Sequence, residues 1–235
     1  MENIIFCSSP FQVLVAKEVV QTVSEDFIGI YLKMSNDTRQ TFYAERMAEF
    51  CKEVLVLEGK TVFNDIQEAL KDRAISNLYL ASLDNPVALS VFNPSTMNLY
   101  TFDDGSTSVV PLNLYTQNLE RGIPYTNFTL REVMSLSNRH YTVFEDCILF
   151  PKEKQVFLKL HLEPSHFHRA KNGKKISVFL GQFLGSLLYQ EDLEITQKLT
   201  AKILDEQKID YYYPHPRVPL NPYQDKLKET RFCFE

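Results

Sequence analysis

Three short stretches carry residue types that could do chemistry. In YYYPHPR, residues 211–217, one histidine stands between two prolines and an arginine follows. Pro214 and Pro216 restrict the backbone around His215 and remove competing amide donors. An imidazole held this way suits general-acid work or a hydrogen bond to a phosphate leaving group. Arg217 adds positive charge for the same phosphate. The same stretch also reads as a polar loop with a packed histidine. In TFDDGS, residues 101–106, two adjacent carboxylates precede a glycine. The two acids repel, so one of Asp103 and Asp104 can have a raised pKa and act as a base. The same residues also read as an ordinary solvated Asp-Gly turn. In FLGQFLGS, residues 179–186, Gly181 and Gly185 let backbone amides approach a ligand, or simply end a strand. This stretch is neither a GxGxxG fingerprint nor a P-loop.

These residues need a scaffold, and the hydrophobic periodicity describes one. Short apolar runs at 3–7, 27–32, 54–57, 77–83 and 98–102 read as buried strands. Helical patterns separate them. The first opens at Pro10 with Val13, Val15, Ala16 and Val19, as expected for proline in a first helical turn. Asp37 can cap the second, which carries Phe42, Met47 and Phe50. Ile66, Ala69 and Leu70 mark the third, and Val87, Leu89 and Val91 the fourth. Phe6, Phe11 and Phe42 read as core. Strand–helix alternation with strands apolar on both faces predicts α/β architecture with a parallel sheet. TFDDGS then sits at the carboxyl end of a strand, where open α/β sheets bind ligands.

After Gly105 the pattern loosens. Residues 119–137 are polar and partly helical, and 140–144 could form a strand. The charged stretch from Pro151 to Lys175 reads as an interdomain linker or a surface loop. His161, His166 and His168 fall in it, without the spacing of a structural zinc site. The α/β pattern restarts at 176–181, with an amphipathic helix over 191–207 and a strand at 209–213. Tyr211, Tyr212 and Tyr213 read as strand residues. The chain stops at Glu235 inside a helix-like segment, so the second sheet is expected to be incomplete.

The chain has 235 residues, 44% of them hydrophobic, enough for a sizeable core. Its net charge of −5 argues against a nucleic-acid binder held by phosphate contacts. No signal peptide or apolar run of membrane-spanning length is visible. Cys7, Cys51, Cys147 and Cys233 are far apart and read as free thiols of a reducing, cytoplasmic compartment.

Together, a strand ending in DDG, a later LG turn and a proline-flanked histidine after another strand resemble the bacterial sialyltransferases. The nearest likeness is glycosyltransferase family 52, the lipooligosaccharide sialyltransferases. IIFCSSPFQVLVAKEV, IYLKMS, LYLASL, TFDDG, HYTVF, LG and PHPR follow the family's order, and the likeness covers nearly the whole chain. It implies a GT-B fold of two Rossmann-like domains. Residues 1–150 would form the acceptor-side domain, 151–175 a linker, and 176–235 the start of an incomplete nucleotide-binding domain. It implies inverting transfer of sialic acid from CMP-sialic acid to a terminal galactose of a bacterial surface glycan, lipooligosaccharide or capsule. No metal and no cofactor besides the donor are implied.

In that picture His215 assists the departing CMP phosphate. Gly181, Gln182, Pro214, Pro216 and Arg217 lie on the donor nucleotide, and Gly105 and Ser106 on the acceptor side. The base is Asp103, Asp104 or Asp192. Asp192 is the nearest match to an acid that follows the family's LG turn, although FLGSLL is extra here. The family's later phosphate-gripping serine segment and its N-terminal membrane anchor have no counterpart in the sequence, so impaired donor binding is expected if the chain ends at Glu235. The resemblance further implies a homodimer in peripheral contact with the inner face of the inner membrane. Two other readings stay open: a UDP-sugar glucosyltransferase of lipopolysaccharide, and an inactive remnant.

Overall fold

The computed structural model describes residues 2–33, 38–111, 113–161, 178–180, 202–203, 206–207 and 211–213. The chain divides into two compact units, Met1–Leu162 and Glu163–Glu235. In the first, strands and helices alternate: β1 (Glu2–Cys7), α1 (Pro10–Val23), β2 (Phe27–Lys33), α2 (Thr38–Arg46), β3 (Glu53–Glu58), α3 (Val62–Leu70), β4 (Ile75–Leu80), α4 (Pro86–Ser90) and β5 (Asn98–Phe102). Then follow α5 (Leu114–Gln117), α6 (Leu130–Leu136), β6 (Ser137–Thr142) and β7 (Gln155–Phe157).

The strands form a seven-stranded sheet in the order β3-β2-β1-β4-β5-β6-β7. Every neighbouring pair is parallel. The chain works outward from β1 in one direction, then returns to β4 on the other side. The crevice between the carboxyl ends of β1 and β4 is therefore a topological switch point, the usual ligand position in an open α/β sheet.

Side chains alternate across each strand, and both faces are covered. Ile4, Phe6, Ile28, Ile30, Leu78, Leu80 and Leu99 pack toward α3, α4, α5 and α6. Ile5, Cys7, Phe27, Tyr31, Tyr79, Phe102 and Tyr141 pack toward α1 and α2. Burial on both faces is why the strands read as continuous apolar runs rather than alternating ones. At Gly29 a Cβ would meet Met47 Cε at 2.8 Å and Cys51 Sγ at 3.0 Å, so the sheet admits the turn after α2 only because no side chain is there.

Local signals fix the helix starts. The Ser9 side chain accepts from the Gln12 amide and Pro10 occupies the first turn of α1; Ser24, left-handed at φ 57°, ends it. Asn85 caps α4 in the same way, with Pro86 following. Thr129 and Glu132 make a reciprocal capping box on α6.

At the amino end of the sheet the polar side chains bond to one another. Asn77 Nδ2 donates to Asn3 Oδ1 at 2.6 Å, Asn98 Nδ2 to Asn77 Oδ1 at 2.9 Å, and Asn138 Nδ2 to Asn98 Oδ1 at 3.2 Å. This amide ladder crosses β1, β4, β5 and β6.

The structure differs from the sequence expectations at three places. Phe42 is 51% exposed rather than core, since α2 lies toward the β3 edge and turns that face to solvent. Residues 155–157, inside the stretch read as a linker, add β7 to the sheet. His161, in the same stretch, is tied to the first unit: its backbone N–H and Nδ1 meet the buried Glu18 carboxylate at 3.0 and 2.8 Å. The partly helical region at 119–137 resolves into α6 alone, with a turn-rich approach. Asp37, His166, His168 and Cys233 lie outside the described residues. Cys7, Cys51 and Cys147 are free and buried.

In the second unit β8 (Val178–Leu180) and β9 (Tyr211–Tyr213) pair in parallel, Val178 opposite Tyr211 and Leu180 opposite Tyr213. No described helix is long and apolar enough to cross a membrane.

Candidate active site at the carboxyl end of the sheet

The strand β5 ends at Phe102, and the backbone stays extended for one more ladder bond, from the Asp103 amide to the Tyr141 carbonyl at 3.2 Å. Successive side chains of an extended chain point to opposite sides. Asp103 and Asp104 therefore enter different surroundings. Gly105 then takes φ 92° and ψ −148°, a conformation essentially confined to glycine. It turns the chain into a single 3-10 turn, Ser106–Ser108.

Asp103 points inward and is fully buried. One carboxylate oxygen accepts from Ser108 Oγ and meets His140 Nε2 at 3.2 Å. The other accepts from the Val143 amide at 2.7 Å. His140, buried on β6, is held from its second nitrogen by Thr101 Oγ1 at 3.0 Å and stacks on Phe150 with ring centroids 4.4 Å apart. Burial alone would push the His140 pKa down, but the Asp103 hydrogen bond, Cys147 and the Asp103 charge outweigh it and raise it. Every oxygen of Asp103 is thus taken up in tying β5 to β6.

Asp104 points into the switch-point crevice and is half-buried. Gln12 Nε2, from the first turn of α1, donates to one carboxylate oxygen. Ser82 Oγ, just past β4, donates to the other at 2.8 Å, and Tyr115 OH, on α5, donates to it at 3.1 Å. The Gln12 amide is itself oriented, because its oxygen accepts from the Ser8 backbone N–H at 2.6 Å. Its Nε2 also donates to Ser82 Oγ at 3.0 Å. Burial raises the Asp104 pKa; the hydrogen bonds from Gln12, Ser82 and Tyr115 oppose this without cancelling it, and the Asp84 charge adds to it. Burial, with the Asp104 and Asp84 charges, pushes the Tyr115 hydroxyl far up, so it stays a donor.

An oriented carboxylate with a raised pKa at the rim of a crevice can accept a proton from a substrate hydroxyl. The sequence expectation that adjacent acids raise one pKa holds in outcome but not in cause. Burial does it, because Asp103 faces the other way. The solvated-turn reading of DDG does not fit a fully buried Asp103. Gly105 is half-buried and Ser106 exposed beside the same turn. Asp192, Gly181, Gln182, Pro214, His215, Pro216 and Arg217 lie outside the described residues.

Gln12, Ser82, Tyr115 and His140 were not singled out in the sequence as site residues. Gln12 had a usable signal: it is a polar side chain on the first turn of the helix after β1, otherwise apolar around it. Among the described residues no group of three or more His, Cys, Asp or Glu side chains could hold a metal ion.

The family model of glycosyltransferase family 52 matches residues 24–224. The chain belongs to glycosyltransferase family 52. Its match to this family spans β2 through the PHPR stretch and contains the whole DDG turn. Two curated relatives align with almost all of it. The CMP-N-acetylneuraminate:beta-galactoside alpha-2,3-sialyltransferase of Pasteurella multocida (strain Pm70) is 26% identical over 251 residues, covering 99% of this chain and 79% of the relative. The N-acetyllactosaminide alpha-2,3-sialyltransferase of Haemophilus influenzae (strain ATCC 51907 / DSM 11121 / KW20 / Rd) is 27% identical over 255 residues, covering 99% of this chain and 80% of the relative. As a family 52 glycosyltransferase the chain is an enzyme of sugar transfer, and Asp104, Ser82 and Tyr115 lie within its family-matched region, with Gln12 just ahead of it.

Proposed function

We propose that this family 52 enzyme transfers sialic acid from CMP-sialic acid to a terminal galactose of a bacterial surface glycan, with Asp104 as the base. The carrying observation is the Asp104 carboxylate, held by Gln12, Ser82 and Tyr115 at the switch point. The alignment of almost the whole chain with two named α-2,3-sialyltransferases supports the donor and the galactoside acceptor. Both names are sialyltransferases, which leaves the UDP-glucosyl reading without support.

In the reaction the acceptor hydroxyl oxygen attacks the anomeric carbon of the sialic acid. The bond from that carbon to the CMP phosphate oxygen breaks, and the electron pair leaves with the phosphate. Asp104 takes the hydroxyl proton. The upward direction of its pKa suits this, since burial makes the carboxylate a stronger proton acceptor than a solvated one. Asp103 does not compete for the role, because its oxygens are buried and occupied. In this reading His215 hydrogen-bonds the departing phosphate, with Gly181, Gln182, Pro214, Pro216 and Arg217 around the nucleotide. No metal enters the scheme.

A GT-B arrangement is the architecture that fits. The first unit is a Rossmann-like parallel sheet, and the second contains a further parallel strand pair. The acceptor site would then belong to the first unit and the CMP site to the second. A homodimer at the inner face of the inner membrane completes the proposal, with the glycan acceptor presented there.

The direct test is CMP release from CMP-sialic acid in the presence of lactose, with wild-type protein and Asp104→Asn. Lactose-dependent CMP release by the wild type, lost in the variant, is expected. Undiminished release by Asp104→Asn would move the base to Asp192. Calorimetry with CMP and UDP checks the donor, and preference for UDP would overturn it.

A further inference from the structure

A second cavity lies outside the Asp104 network. It has a volume of about 530 Å³ and opens between the α4–β5 connection and the loop before α6, with Phe92, Asn93, Tyr125, Asn127 and Phe128 in its lining. Among the described residues no charged side chain lines it. Phe92 and Phe128 form its apolar floor, with ring centroids 5.8 Å apart. The Asn93 oxygen accepts from the Ser95 amide, leaving its NH₂ without a partner among the described residues. The Asn127 side chain is exposed and makes no hydrogen bond to a described residue.

Tyr125 is the anomaly of this cavity. It has φ 60°, in the left-handed region where a bulky residue is a true outlier. The turn explains the angle. The Thr126 amide donates to the Ile123 carbonyl at 3.2 Å, Pro124 takes the second position, and the third position needs φ above zero. Glycine or asparagine would satisfy that position without strain. A tyrosine stands there instead, and it is 82% exposed, so burial does not compensate. Among the described residues its one ring contact is edge-on to Phe63, centroids 5.1 Å apart. Phe63 lies in the first turn of α3, which follows the carboxyl end of β3. Tyr125 therefore reaches from the rim of the cavity to the first turn of α3, on the sheet face that α3, α4 and α6 cover.

We propose that this cavity is a subsite for a neutral sugar ring of the glycan acceptor, with Tyr125 as its stacking platform. An exposed aromatic face carries the negative side of its quadrupole, which attracts the weakly positive C–H face of a pyranose. The free amide groups of Asn93 and Asn127 supply donors and an acceptor for ring hydroxyls. The lack of charge disfavours phosphates and nucleotides and matches an uncharged hexose. An apolar floor with a few convergent polar groups is the usual composition of a small-ligand site. The subsite rests on the glycan acceptor reading above. It would hold a sugar that does not react, whose binding energy then serves to place the one that does.

The test is direct binding without any donor. A neutral galactose-terminated tetrasaccharide and lactose are titrated into wild type, Tyr125→Gly and Asn127→Ala, by calorimetry and saturation-transfer NMR. The tetrasaccharide is expected to bind the wild type more tightly than lactose, with saturation reaching its inner sugars. Tyr125→Gly is expected to weaken tetrasaccharide binding about tenfold, the scale of one lost aromatic contact. Because glycine relieves the left-handed angle, its Tm should hold or rise. Asn127→Ala should weaken binding by a smaller factor. Equal binding of the two sugars by the wild type, or unchanged binding in Tyr125→Gly, would overturn the subsite. A lower Tm in Tyr125→Gly would also overturn it, since the tyrosine would then be explained by packing. Failure of the wild type to release CMP with lactose would sink the transferase reading alone, because the binding arm contains no donor.

Discussion

Asp103 and Asp104 leave the same strand and share a peptide bond, yet they occupy opposite kinds of environment. Below the turn, Asp103 sits in a closed cage of Ser108, His140 and the Val143 amide, with no exposed surface. Above it, Asp104 is held by donors from three separate elements and keeps a face toward the crevice. The cage fastens β5 to β6 and so fixes where the turn stands. The open network needs that fixed position to aim one carboxylate. A dipeptide thus divides two tasks, and the division follows from the alternation of an extended chain together with the glycine that ends it.

The largest separation should come from replacing each acid in turn. Asp104→Asn removes the base, and kcat should fall about 10²- to 10⁴-fold in a CMP-release assay. Its Tm should not fall, since a carboxylate whose charge is disfavoured by burial is replaced by a neutral group. Asp103→Ala should act the other way. It strips a buried histidine of its partner, at a cost on the order of 3–5 kcal/mol, seen as a lower midpoint in urea. Two variants with the same phenotype would break the comparison.

The second test uses pH. The His140 pKa is raised in the folded state by Asp103 and Cys147 against the pull of burial. Folding therefore favours the protonated imidazole. That stabilisation is fully present below the unfolded histidine pKa of about 6.5 and is lost as pH rises through the folded value. Melting curves should show Tm declining as pH rises from about 6, and His140→Asn should flatten this slope. The raised Asp104 pKa has the same sign, but it acts in the carboxylate range, beginning near pH 4. The two windows open at different pH, and His140→Asn removes only the upper one. A wild-type Tm constant from pH 6 to 8 would mean the cage is neutral.

Much of the scaffold was legible because periodicity and caps are local. Ser9-Pro10 and Asn85-Pro86 announce helix starts, and the double-sided apolar strands announce a parallel sheet. The DDG turn was legible as a strand-end feature for the same reason. The roles of its two acids were not. Deciding them requires knowing that Gln12, Ser82 and Tyr115 converge from 92, 22 and 11 residues away. It also requires knowing that His140 lies across a strand pair from Thr101. Neither is a spacing in the chain. Strand β7 was missed because three residues carry no period, and it is placed by pairing with β6 rather than by its own pattern. Phe42 was misplaced because composition cannot tell which face of a helix meets the sheet.

A finer test asks whether the open network tunes its acid. Tyr115→Phe removes one hydrogen bond to Asp104 and keeps the buried ring. That bond opposes the rise of the Asp104 pKa, so its loss should raise it further. The acidic limb of kcat/KM against pH should move upward, by about one unit if the bond contributes the ~1.5 kcal/mol expected of a hydrogen bond to a charged group. An unmoved limb would assign Tyr115 to packing alone.

The smallest effect should be found at the far end of the sheet. There the amides of Asn3, Asn77, Asn98 and Asn138 donate to one another in sequence, and the ladder is anchored where Asn3 Nδ2 donates to Glu25 at 2.8 Å. These groups satisfy each other as fully as the Asp103 cage does, but they are neutral and partly wet. Asn98→Ala breaks the ladder in its middle and costs two hydrogen bonds whose loss water can partly make good. A loss of about 1 kcal/mol in urea unfolding is expected, with kcat and KM for CMP release unchanged. If kcat fell with it, the amino end would be coupled to the crevice through β4 and β5, and the contrast between a passive end and an active end of one sheet would have to be redrawn as a single strained unit.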